Sequence, residues 1–139
     1  MWTNISILFN LGINTWLDIR KRQVSVLVVL LSLCIGMCEQ ICETRIDIAA
    51  IICRSIPGLL CFVAAYITKE EIGYGDAWII LALGMEMQWN EFWITCVFAF
   101  GLAGLAAITL LFLFRKGRKY EMPFVPYLWM GYIITKFVV

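Results

Sequence analysis

The chain has 139 residues, of which 63% are hydrophobic and 15% are charged. Soluble domains have roughly 45–50% apolar and about 25% charged residues, so this composition excludes an ordinary soluble domain and predicts one small membrane domain covering residues 1–139. The formal net charge of +1 gives no general attraction for nucleic acid, and none is expected as a partner.

The apolar residues form six candidate membrane-spanning segments, because about 20 such residues cross a bilayer. In chain order the segments cover about 1–17, 24–41, 46–67, 76–89, 92–114 and 123–139. The predicted fold class is therefore an all-α membrane protein, a bundle of six transmembrane helices. The fifth segment is unambiguous, whereas the first, fourth and sixth are marginal in length. In the first segment the basic residues follow the apolar run, which predicts a retained helix rather than a signal peptide.

Lysine and arginine residues indicate the orientation of the bundle, because short cytoplasmic loops carry an excess of them. With the N-terminus outside, most of the 11 basic residues lie on the cytoplasmic side. These residues are Arg20, Lys21, Arg22, Lys69, Arg115, Lys116, Arg118 and Lys119. The sequence therefore predicts six crossings that start outside.

Two carboxylates fall at the predicted cytoplasmic boundary. Asp18 ends the first segment, and Asp76 begins the fourth, directly after Gly73 and Gly75. Charges at the edge of the lipid are costly and mark candidate functional sites, and glycines let a second backbone approach closely. Two close carboxylates tend to share one proton, so one can protonate a carbonyl oxygen while the other activates water. Interfacial caps, or partners of nearby arginines, are the alternatives for both residues.

A second charged pair is predicted inside the bundle. Glu86 in the fourth segment and Arg54 in the third should lie at similar depth, and buried charges are usually paired. We therefore predict a structural contact between Glu86 and Arg54.

The six cysteines form no CxxC pair, and the chain has no histidine. They are interpreted as small packing residues, and neither a metal site nor a cofactor is expected.

The fifth segment carries small residues at four-residue spacing, Ala99, Ala103 and Ala107, with Gly101 and Gly104 nearby. Such a stripe allows close helix packing. Packing inside the bundle is favoured over a dimer face, although a homo-oligomer stays open.

Three stretches resemble one family. Gly73-Tyr74-Gly75-Asp76 matches the GxGD motif of membrane aspartic proteases, and Asp18 before a basic run resembles the other catalytic aspartate of type IV prepilin peptidases. The stretch 122–128 resembles the Pro-Phe-x-Pro sequence that opens the last helix of that family. The three motifs occur in the order of that family and are distributed over nearly the whole chain, which is identified as a member of the family on this basis.

The resemblance implies a membrane-embedded aspartic endopeptidase (prepilin peptidase), with Asp18 and Asp76 as catalytic residues. Gly73 and Gly75 would bind substrate or shape the loop. The implied substrate is the leader peptide of a prepilin or pseudopilin of a type IV pilus or protein secretion system. It would be cut after a glycine, at the cytoplasmic face of the inner (plasma) membrane.

The sequence also departs from many bacterial members. It contains no cytoplasmic segment with paired CxxC motifs, so the resemblance is to the small form without the methyltransferase domain. Gln23-Val24 stands where many members have isoleucine-proline. Two other functions remain as alternatives, a small proton-coupled transporter and a non-catalytic membrane scaffold.

Overall fold

The computed structural model describes residues 2–42, 48–67, 73–112 and 122–139. Within these ranges the chain forms six helices and no strand. The helices are α1 (Trp2–Lys21), α2 (Val26–Cys42), α3 (Ile48–Ile67), α4 (Tyr74–Glu86), α5 (Trp89–Phe112) and α6 (Val125–Val138). Each predicted segment corresponds to one helix, which confirms the all-α fold.

In the described part of the chain, α5 is the one helix both long and apolar enough to cross a membrane, with a mean hydropathy of 2.3. This confirms the interpretation of the fifth segment. The six crossings and the external N-terminus stay predictions. Most of the basic residues behind that orientation, Lys69 and those at 115, 116, 118 and 119, lie outside the described residues.

The helices pack as a ring. Contacts between neighbours run in the order α1, α2, α4, α3, α5 and α6, and α6 returns to α1. The contact between α3 and α5 is the smallest in this ring. The end of α1, the starts of α2, α4 and α6, and the later parts of α3 and α5 meet at one end of the bundle. We call this the site end.

The shortest helix, α4, is the most enclosed. Its 13 residues rise about 20 Å, less than the roughly 30 Å core of a bilayer. Two glycines let α3 approach it closely. A methyl group at Gly58 would lie 3.0 Å from Cβ of Leu81, and one at Gly84 would lie 2.8 Å from the carbonyl oxygen of Arg54. The sequence prediction of a short fourth helix is confirmed, and one glycine from each helix permits the close α3–α4 packing.

The predicted contact between Glu86 and Arg54 is wrong. Glu86 instead accepts hydrogen bonds at Oε1 from the hydroxyls of Ser6 in α1 and Ser32 in α2. The Arg54 guanidinium donates to the carbonyl of Met87, just past the end of α4. The two side chains therefore point to different partners. Glu86 faces α1 and α2, whereas Arg54 reaches from α3 to the C-terminal end of α4, where a cation is favourable.

Buried polar side chains connect Glu86 to the site end. Ser32 accepts a hydrogen bond of 2.6 Å from the amide of Asn10, and Asn14 donates to Oδ1 of Asn10 at 2.6 Å. The Oδ1 atom of Asn14 in turn accepts from the backbone N–H of Ser25 at 2.8 Å. Since buried polar groups are costly unless hydrogen-bonded, this network specifies how α1, α2 and α4 pack together.

Candidate active site

A cavity of about 1150 Å³ opens at the site end of the ring. All six helices or their flanking residues contribute to its wall. Ligand sites typically have volumes of roughly 300–1,000 Å³, so this space is large enough for several peptide residues. Apart from two carboxylates and a few polar groups, the wall is apolar, with Val29, Trp78, Ile80, Phe100 and Phe124 among its residues.

Asp18 lies in the last turn of α1 and projects into this cavity. Its exposed fraction is only 7%. The backbone N–H of Val125, the first residue of α6, donates to Oδ2 of Asp18 at 3.1 Å. First-turn N–H groups have no partner within their own helix, and the N-terminus carries a partial positive charge. The start of α6 therefore both holds this carboxylate and stabilises its negative form.

Asp76 lies in the first turn of α4, on the opposite wall of the ring from α6. Its backbone N–H donates to the carbonyl of Gly73 at 3.1 Å, which forms the turn that opens the helix. The side chain is half-buried and lines the same cavity as Asp18. The two predicted catalytic residues are 58 positions apart in the sequence, and the tertiary structure brings both to one cavity.

The two glycines of the GxGD stretch have different surroundings. Gly73 is exposed, and a methyl group there would meet only Oδ2 of Asp76 at 3.7 Å and the nitrogen of Gly75 at 4.0 Å. A methyl group at Gly75 would lie 2.6 Å from Cγ2 and 2.8 Å from Cβ of Val24. Gly73 therefore leaves open space at the cavity, whereas Gly75 is needed for a contact within the protein.

The small residues of α5 also divide into two groups. Ala99 is fully buried against α6, where a methyl group at Gly131 would lie 2.9 Å from the Ala99 nitrogen. Ala103, Gly104 and Ala107 line the cavity instead, and a methyl group at Gly104 would meet nothing within 4 Å. Packing inside the bundle thus explains Ala99, but the rest of the stripe forms an open wall.

Sequence reasoning missed two contributors to the site. Val24 was noted only as a departure from the family pattern, yet it touches Gly75. The stretch around Pro123 and Pro126 was interpreted as the start of α6, yet it also provides the N–H that binds Asp18. The two prolines, one just before α6 and one inside its first turn, were the signal for an N-terminus fixed at that point.

No group of three or more histidine, cysteine, aspartate or glutamate residues suited to a metal ion occurs among the described residues. A site without metal or cofactor stays a prediction from the sequence.

Comparison with known families gives the class of protein. The sequence matches the type IV leader peptidase family over residues 5–111, a range that includes both aspartates and the GxGD stretch. No curated protein and no solved structure matches the chain. Because the match extends over more than half of its length, the chain belongs to the type IV leader peptidase family, and this membership implies a peptidase. The family predicted from the motifs is therefore confirmed.

Proposed function

We propose that the protein is a membrane-embedded aspartic endopeptidase. It removes the leader peptide of a type IV prepilin or pseudopilin by cutting after a glycine at the cytoplasmic face of the membrane. One observation carries this proposal. Asp18 and Asp76, on different helices, line a single cavity at the same end of the bundle. Two carboxylates facing one space can activate a water molecule and protonate the carbonyl oxygen, the two tasks of aspartic peptide hydrolysis.

The surroundings of the two carboxylates suggest how they divide the work. The N–H of Val125 favours the ionised form of Asp18, so Asp18 is the general base. Two close carboxylates do not readily both ionise, so Asp76 keeps a proton and is the general acid. In this scheme Asp18 removes a proton from water as the water oxygen attacks the scissile carbonyl carbon, and Asp76 protonates the carbonyl oxygen. As the diol collapses, the ionised Asp76 takes back the proton of one hydroxyl, the C–N bond breaks, and the amine leaves with the proton that Asp18 took from water.

The shape of the cavity supports a peptide substrate with an apolar segment. Its apolar wall continues from the aspartates along α5, where Ala103, Gly104 and Ala107 leave space. Gly73 lies exposed beside Asp76, so an extended backbone can approach the reacting atoms there. We therefore assign Gly73 to substrate binding.

The membrane location is supported by the outer surface of the bundle. Large apolar side chains are exposed on all six helices, for example Leu27, Leu60, Val97 and Phe137. On α4 the exposed one is Trp78, which also lines the cavity. Exposed apolar side chains in this number are typical of contact with lipid or with another protein. The exposed basic residues Arg20, Lys21 and Arg22 lie at the site end, which favours a cytoplasmic location for that end.

Substitution of the two aspartates tests the proposal. Asp18→Asn and Asp76→Asn should each leave a co-expressed prepilin uncut, while the variant protein still accumulates in the membrane. Gly12→Ala is the matched control, because a methyl group at Gly12 meets nothing within 4 Å and the residue is outside the cavity. Normal processing by either asparagine variant would disprove the aspartic mechanism. The non-catalytic scaffold would then be the favoured function of the protein. If the two asparagine variants lose a proton flux across the membrane and show no change in cleavage, the transporter would be favoured.

A further inference from the structure

Residues 22–25 connect α1 to α2 and lie against the start of α4. We call this segment the connector. Val24 of the connector packs directly on Gly75, the residue before Asp76. Asp18 is four residues before the connector, and its carbonyl accepts a hydrogen bond of 3.0 Å from the N–H of Arg22. The connector therefore joins the helix turn that carries one aspartate to the helix turn that carries the other.

Two further features fix the path of the connector. Arg22 has a φ of 51°, in the left-handed region that turns a chain sharply out of a helix. The N–H of Ser25 donates to Oδ1 of Asn14, which lies one turn before Asp18 in α1. Asn14 belongs to the buried network that continues through Asn10 to Ser32 of α2. The connector is thus attached to α1 on both sides of Val24, and Val24 packs against α4 at Gly75.

We propose that the contact of Val24 with Gly75 sets the separation of Asp18 and Asp76, so that Val24 is a positioning residue for catalysis. The inference rests on the proposed function, since it concerns the same pair of carboxylates. It assigns the second glycine of GxGD to packing within the enzyme and leaves the first glycine for substrate. Without a Cβ, Gly75 lets the connector sit about one methyl radius closer to α4 than any other residue would allow.

The contact can be tested by adding a methyl group at Gly75 and then removing side-chain atoms of Val24. Gly75→Ala adds a methyl group within 3.0 Å of two atoms of Val24, so the connector and α4 must separate. A displacement of about 1 Å in a catalytic group costs roughly 100-fold, and we expect a fall of about that size in kcat with little change in KM. Val24→Ala combined with Gly75→Ala removes Cγ2 of Val24 but leaves its Cβ. This double variant should recover part of the lost kcat. Val24→Gly removes both close atoms and should restore more.

The alternative role of Gly75, room for substrate, predicts a different pattern. In that case Gly75→Ala raises KM, and truncation of Val24 does not restore cleavage. Either result, or a Gly75→Ala enzyme with the rate of the wild type, would overturn the proposal. These outcomes are distinguishable from failure of the proposed function, in which the Asp18→Asn and Asp76→Asn variants themselves remain active.

A second measurement applies if Gly75→Ala does not accumulate as folded protein. Val24→Ala alone only deletes atoms, so it creates no clash. It should lower kcat severalfold at constant KM. It should also bring the two limbs of the pH–rate profile closer together, because carboxylates held less closely interact less. A purely structural role would lower the thermal stability in detergent and leave this profile unchanged. An unchanged kcat and profile would refute the assignment of Val24.

Discussion

The N–H of Val125 and the carboxylate of Asp18 form a hydrogen bond of 3.1 Å that joins α6 to α1 at the cavity. The two residues are 107 positions apart, nearly the whole length of the chain. Val125 is completely buried and Asp18 nearly so, so an apolar side chain in place of Asp18 would cover this donor without accepting its hydrogen bond. The bond therefore contributes both to the stability of the bundle and to the charge of the site.

This relationship predicts that two substitutions of Asp18 differ in stability although both are inactive. Asp18→Asn keeps an oxygen that can accept from Val125, whereas Asp18→Leu leaves the buried N–H without a partner. An unsatisfied buried donor costs about 1–3 kcal/mol, so the leucine variant should unfold at a clearly lower temperature in detergent. Equal melting temperatures for the two variants would mean that the hydrogen bond is not maintained in the protein in detergent.

The open wall of α5 predicts a selective effect on substrate binding. Gly104→Leu places a side chain on the cavity wall, at a position where the added Cβ has nothing within 4 Å. It should raise KM for a prepilin severalfold and change kcat less. Gly101→Leu is the matched control, since Gly101 has the same free space and does not line the cavity. If both substitutions raise KM equally, the substrate does not use this wall.

The hydrogen bonds of Glu86 predict that a neutral amide can replace it. Glu86 accepts from two serine hydroxyls at Oε1, while its Oε2 is buried without a partner among the described residues. Burial of an ionised carboxylate in this way is costly, so the neutral form is expected. Glu86→Gln should therefore melt close to the wild type, and Glu86→Leu should lose about 1–3 kcal/mol because two hydroxyls lose their acceptor. A glutamine variant as unstable as the leucine variant would require a charged Glu86.

The close packing of α3 on α4 predicts that replacing Gly84 with a larger residue destabilises the folded protein. Gly84→Ala puts a methyl group 2.8 Å from a backbone oxygen of α3, which cannot rotate away. Overpacking of this kind costs about 1–3 kcal/mol, and the resulting shift of α4 should also lower cleavage. Gly12→Ala serves as comparison and should be neutral or stabilising by up to about 1 kcal/mol, because alanine is the better helix former. Thermal unfolding of both variants in one detergent is the measurement. A harmless Gly84→Ala would show that the two helices are less tightly packed.

Helices and candidate catalytic residues could be predicted from the sequence because both depend on local information. Six apolar runs separated by polar residues correspond to α1–α6 within a few residues. Asp18 and Asp76 were conspicuous because each is a charge at the end of an apolar run, and the GxGD and proline stretches supported the family that the comparison confirmed.

The pairing of side chains across helices was not predictable in the same way. Glu86 and Arg54 were matched by depth alone, but depth leaves the rotation of each helix open. The rotation of α4 is set by the glycine contacts at Gly58 and Gly84, which turn Glu86 toward Ser32. The interpretation of the α5 stripe was incomplete for a related reason, because a small residue permits close packing and also an open wall.

The sequence by itself determined the helices, the family and the two carboxylates, since hydrophobic run length and short motifs are local properties of the chain. Only the tertiary structure decided which groups meet. The placement of α6 beside α1 gives Asp18 its N–H donor, and the absence of a Cβ at Gly75 brings Val24 onto α4. Both contacts depend on distances between segments far apart in the chain, which arise from the packing of all six helices together.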